Sequence, residues 1–176
     1  LPDYLERLQT GHKDIPIVLL PLLNDLRGAR GEKGLSEIVL FTPDLTRALP
    51  DSARGPAAPL PELELRRIAE QQRGQFQIAL LNWFRNIDAD ANVTRIATVC
   101  DRLVSCVSQE EARRLFWVAG GVLEALKAKA FEPSPQLKQT IGRVEREIKR
   151  LADAGEASFR VDPPRELTRN LLYFVA

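Results

Sequence analysis

His12 is the only histidine in this 176-residue chain. An imidazole can serve as a general base, a metal ligand or a phosphoryl acceptor. Each role needs partners that hold the ring and tune it. Here the setting is Gly11-His12-Lys13-Asp14-Ile15-Pro16, with Pro16 placed to be the first residue of the next helix. His12 is therefore expected in an exposed turn between helices. Cys100 and Cys106 stand six apart in an apolar helical pattern, about 240° apart around a helix, so a mutual disulfide is not expected. They read as two small buried thiols in a reducing compartment. Two cysteines and one histidine do not make a zinc cage. No apolar-flanked carboxylate pair suggests acid/base work, and nothing resembles a nucleophile elbow. The expectation is no catalytic residue, no cofactor and no metal.

Composition narrows the partner classes. The 25 Lys plus Arg against 24 Asp plus Glu leave a formal charge of +1, which gives no whole-chain footprint for nucleic acid. The basic cluster Arg143, Arg146, Lys149, Arg150 is interleaved with Glu145 and Glu147, as on a solvated face. The absence of methionine and the apolar end Leu171-Leu172-Tyr173-Phe174-Val175-Ala176 predict a piece of a longer polypeptide.

Leu19-Leu20-Pro21-Leu22-Leu23-Asn24-Asp25-Leu26-Arg27-Gly28-Ala29-Arg30-Gly31 packs a proline into an apolar run and then turns abruptly polar. The run falls well short of the ~20 apolar residues that cross a bilayer, so no membrane insertion is expected. It also lacks the glycine spacing of a phosphate loop. Its polar end, Asn24, Asp25, Arg27 and Arg30, is a candidate partner interface. The adjacent pairs Trp83-Phe84 and Phe116-Trp117 point about 100° apart on a helix, so one member of each can enter the core while the other lies at its margin. Whichever of Trp83 and Trp117 lies at the surface is a second candidate, because Trp is a preferred interface anchor.

The elements that must position these residues are helices. Leu137, Ile141, Val144, Ile148 and Leu151 step along one face, with Ser134-Pro135 as cap and first turn and Gly155 as stop. Ser108-Gln109-Glu110-Glu111 matches a capping box ahead of Leu115, Ala119, Val122 and Leu126. Gly120-Gly121 in that helix suggests close approach of a neighbouring helix. Val93, Ile96, Cys100, Leu103 and Val107 form another stripe. A long helix over about 61–86 carries Ile68, Phe76, Leu80, Trp83 and Phe84. A last helix starts near Pro163-Pro164 with Asp162 as its cap. The prediction is an all-α antiparallel bundle of about five to seven helices. Residues 1–45 form an N-terminal helical segment packed on the bundle, 46–61 a Pro-rich linker, and 62–176 the bundle itself.

Several segments carry a family resemblance. Tyr4-Leu5-Glu6-Arg7-Leu8-Gln9, Ile15-Pro16 and the Leu19-to-Gly31 segment resemble the N-terminal region of the ChpA/PilL kinases, the CheA-like hybrid histidine kinases of type IV pili and twitching motility. The region is also similar to FimL scaffolds. Gln71-Gln72-Arg73-Gly74-Gln75-Phe76-Gln77-Ile78-Ala79-Leu80-Leu81 looks like the same family. So do the stretch from Phe116 to Leu126 and the closing Pro164 to Ala176. The resemblance implies a bundle related to histidine phosphotransfer (Hpt) domains. Active bundles of that kind show His-x-x-Lys-Gly, whereas Lys13 follows His12 directly. The phosphotransfer role is not carried over, and the expected relative is degenerate and non-catalytic.

The function expected is a docking domain of a pilus chemosensory kinase, cytoplasmic and at the cell pole. The resemblance implies as partners a FimV-like polar hub and a CheY-like response regulator. A structural spacer that pairs copies through the Leu137-to-Leu151 face ranks second, and phosphotransfer through His12 third.

Overall fold

The computed structural model describes residues 2–11 and 16–176, Pro16 through its backbone alone. They fall into two compact units, Leu1–Pro43 and Asp44–Ala176. His12 lies outside the described residues.

The first unit holds α1 (Pro2–Gln9), a 3-10 turn at Pro16–Leu19, α2 (Leu20–Ala29) and α3 (Glu37–Leu40). None of its described side chains is fully buried. Helices this short are marginal in water, so polar closures carry much of the order. The end of α2 shows how. Gly31 adopts φ +71°, the Glu32 amide donates to the Arg27 carbonyl at 2.9 Å, and the Gly31 amide donates to Gly28 at 3.0 Å. These are the paired bonds of a Schellman termination, which favours glycine at the left-handed position.

The second unit holds α4 (Glu62–Phe84), α5 (Ala89–Cys106), α6 (Glu110–Lys127), α7 (Pro135–Ala154), α8 (Ser158–Val161) and α9 (Arg165–Tyr173). Short connections turn each long helix back on its predecessor, as in an up-and-down bundle. The helix α4 packs on both α5 and α7, α5 packs on α6, and α9 closes against α6 and α7. Among the described residues there are nine α-helices and no strand, so the all-α expectation holds with short helices added.

The predicted stripes face inward. Leu137, Ile141, Val144, Ile148 and Leu151 are fully buried. Ser134 caps α7, accepting from the Leu137 amide at 3.0 Å, and Gly155 ends it at φ +75°. Because that stripe is spent inside the chain's own bundle, it cannot pair copies as the spacer reading required. Phe76, Trp83, Ile96, Leu103, Leu115, Phe116 and Phe159 complete the core, each contributing about 1.5–3 kcal/mol by leaving water. Phe84 is the marginal member of its pair, 43% exposed beside the buried Trp83.

Two caps differ from the sequence reading. The N-cap of α6 is Gln109, whose side chain accepts from the Ala112 amide at 2.9 Å. Ser108 instead turns to Glu156, a residue far along the chain. Asp162 does not cap α9; its carboxylate reaches Arg150 at 3.3 Å. Between α7 and α9, α8 inserts Phe159 into the core, and the Arg150 guanidinium lies 4.1 Å from its ring centroid. Gly120 makes the predicted close approach, with Cys100 and Asp101 as nearest neighbours, while Gly121 meets open space.

Candidate functional site

The candidate site is built on the outer face of α6. Asp44 to Ala53, expected from residue 46 onward as a Pro-rich linker, crosses that face as a strap within the second unit. Arg114, only 8% exposed, is its anchor. One guanidinium nitrogen (Nη1) donates to the Arg47 carbonyl at 2.8 Å, and the other (Nη2) pairs with Glu110 at 2.6 Å. A buried guanidinium needs such partners, because an unpaired buried charge costs several kcal/mol. At the other end of the strap Ala53 is buried. There Gly55 passes so close to the α5–α6 junction that a Cβ would sit 2.9 Å from the Val107 carbonyl.

The strap and α6, with α9 at one and α5 at the other, border two cavities that share one wall, Trp117. The first, about 490 Å³, is lined by Leu45, Leu49, Pro50, Trp117, Val118 and Leu172, with Asp44, Arg47 and Arg114 as its charged members. The second, about 410 Å³, lies between Trp117 and the polar group Ser52, Arg54, Asp101, Ser105 and Glu124, with Gly120 and Gly121 on its lining. Both fall within the size range of ~300–1,000 Å³ usual for binding clefts. Asp44 is already engaged: its carboxylate accepts from the Thr46 amide at 2.9 Å and from the Thr46 hydroxyl at 2.6 Å. Those bonds hold it below the usual carboxylate range, with Arg47 and Arg114 adding to the effect. Arg47 is exposed, and its guanidinium makes no hydrogen bond or ion pair among the described residues.

The sequence-derived candidates separate by role. Trp117 is half-buried at the groove. Trp83 is 1% exposed and belongs to the core. Lys138 closes over it, 5.4 Å from the ring centroid, and donates to the Trp83 carbonyl at 3.2 Å. It offers no surface. Asn24 and Arg27, expected as exposed, form an internal clasp in the first unit. The Asn24 amide exchanges two hydrogen bonds with the Leu35 backbone, at 3.0 and 2.6 Å. Arg27 donates to the Lys33 carbonyl at 2.9 Å and pairs with Glu32 at 2.9 Å. Arg30 is exposed and reaches the same Glu32 at 3.1 Å, and Asp25 is exposed. Arg47 and Arg114 escaped the sequence reading. The signal available was Leu45 and Leu49, apolar and four apart inside a stretch otherwise read as linker.

Both thiols are free and buried, and burial pushes the Cys100 thiol up. Among the described residues no group of His, Cys, Asp and Glu is arranged to hold a metal ion. Among them, too, no helix is long and apolar enough to cross a membrane.

Residues 61–176 match the family model described as FimL scaffold protein second domain. The chain belongs to that family. The match takes in α4 to α9, and so Arg114 and Trp117, while the strap residues precede it. Similarity to one curated protein runs further: Scaffold protein FimL of Pseudomonas aeruginosa is 31% identical over all 176 residues. The chain spans 30% of the length of that relative. No solved structure matches.

Proposed function

We propose that this FimL-family chain is a non-catalytic scaffold domain that docks protein partners of a type IV pilus chemosensory pathway. The observation that carries this reading is the family match over the bundle, joined to full-chain similarity to a protein named as a scaffold. The half-buried Trp117 beside two cavities supports it, since partly exposed Trp is a common anchor for a protein partner. In this proposal the domain sits within a ChpA/PilL-type hybrid histidine kinase that controls twitching motility. It acts in the cytoplasm at the cell pole, and its partners are a FimV-like polar hub and a CheY-like response regulator.

The test is capture by the purified, immobilised chain. Retention of a FimV-like hub or a CheY-like regulator at micromolar concentration is the expected result. Failure to retain any pilus-pathway protein at tens of micromolar would overturn the proposal. Incubation with a phosphorylated regulator is expected to leave no label on His12.

A further inference from the structure

We propose that the outer face of α4 pairs with the same face of a second copy, the two helices running antiparallel about a two-fold axis between Gln77 and Ile78. This face lies apart from the strap and Trp117, and the pairing does not depend on partner docking there.

One side of α4 is spent on the core, through Leu65, Ala69, Phe76, Ala79 and Trp83, and its flanks are spent on α5 and α7. On the opposite side Arg67, Gln71, Gly74, Ile78, Leu81 and Arg85 step along the helix by fours and threes, which keeps them on one stripe. All of them are exposed. Arg85 continues the stripe because its amide still donates to the Leu81 carbonyl at 3.1 Å. Ile78 and Leu81 are 64% and 48% exposed, and no charged residue stands from Gly74 to Phe84. An uncharged, partly apolar strip with charges only at its ends is the pattern of a contact surface.

The order of residues along the strip selects its occupant. With the axis between Gln77 and Ile78, Gly74 faces Leu81 of the other copy and Glu70 faces Arg85, each pair formed twice. Gly74 leaves room for the leucine, since nothing lies within 4 Å of where its Cβ would be. Glu70 and Arg85 are exposed, and neither makes a hydrogen bond or ion pair among the described residues. The cations beside Glu70 on the α7 side are already held, Arg66 by Glu62 and Arg73 by Glu145. Arg67, about one turn further out, comes opposite the turn that follows Arg85, where the exposed charge is Asp88. Arg67 and Arg85 thus balance Glu70 and Asp88, and the antiparallel order sets opposites together at both ends. A parallel pair would set Glu70 on Glu70 and Arg85 on Arg85.

Sedimentation equilibrium of the whole purified chain, from roughly 5 to 500 μM, tests this. One helix per copy covers less than the ~1,200 Å² of a standard stable interface, so a weak dimer with a Kd of roughly 10–500 μM is expected. Leu81→Arg should abolish it while leaving the melting of dilute protein unchanged, and Ile78→Lys, at the more exposed position, should do the same. Glu70→Arg and Arg85→Glu should each weaken dimerisation about tenfold at low salt. Combining the two changes in one chain should restore it, and so should mixing the two single variants. Restoration has no route inside one chain, where the two positions lie about 22 Å apart along the helix. A chain that stays monomeric, a dimer indifferent to Leu81→Arg, or a double variant as weak as the singles would overturn the proposal. Loss of pathway-partner capture in Leu81→Arg, with the unaltered chain monomeric, would overturn it by giving the face to that partner.

Discussion

Ser108 and Glu156, far apart in sequence, are joined by two hydrogen bonds. The Ser108 hydroxyl donates to the Glu156 carboxylate at 2.6 Å and the Ser108 amide at 2.9 Å, while the Gln109 amide adds a third bond at 2.9 Å. The carboxylate thus sits at the positive end of the α6 dipole, where a local capping box would have placed Glu111. It also ties the start of α6 to the turn that leaves α7.

Replacing Glu156 by Ala should therefore cost more than an ordinary surface change. About 1.5–3 kcal/mol is expected for bonds to a charged acceptor. Urea unfolding of Glu156→Ala beside Glu111→Ala checks this. The Glu111 variant should stay within about 0.5 kcal/mol, the range of surface substitutions.

The two tryptophans should part company on mutation. Trp83→Ala opens a core cavity and should lose about 3–5 kcal/mol. Trp117→Phe, at a half-buried margin, should lose no more than about 1 kcal/mol and act on partner binding. Thermal unfolding of both variants checks the contrast.

Glu147 gives the chain a pH dependence. Burial raises its carboxyl; Arg150, 2.7 Å away but outside hydrogen-bonding geometry, offsets this only in part. The folded state therefore holds this proton more tightly than the unfolded chain. The stability it lends is full below about pH 4.3, the unfolded value for Glu, and is lost as pH rises through the higher folded value. Glu147→Gln should match the unaltered chain near pH 4 and become the more stable of the two toward neutral pH. Melting curves across that range check the sign.

The strap depends on Gly55. An added methyl would meet the Val107 carbonyl at 2.9 Å and Arg113 Nη1 at 2.5 Å. Gly55→Ala should cost about 1–3 kcal/mol by overpacking. Protease cleavage within 44–61 should speed up while the bundle persists, and timed digestion followed by mass spectrometry reads both.

The bundle was legible because its helices are long and strictly periodic: the α7 stripe, the Ser134 cap and the Gly155 stop all stand where the spacing placed them. The long-range cap was not legible, since Ser108-Gln109-Glu110-Glu111 satisfies a local rule and only folding brings Glu156 to it. The groove was hidden for a similar reason. Five prolines between Thr42 and Pro61 mark an irregular backbone, but irregular does not mean free, and the buried Arg114 holds this stretch through one carbonyl. Asn24 and Arg27 misled in the opposite sense. Polar residues after an apolar run look like surface, yet both are spent on closing the backbone of 33–35.

Partner docking at Trp117 is the central claim, and tryptophan emission tests it directly, because Trp83 is sealed in the core and a change on binding reports Trp117. Titrating the purified chain with the CheY-like regulator and with the FimV-like hub should give a saturable shift with at least one of them, absent in Trp117→Phe. Flat emission with both at tens of micromolar, or an equal shift in Trp117→Phe, would contradict the account.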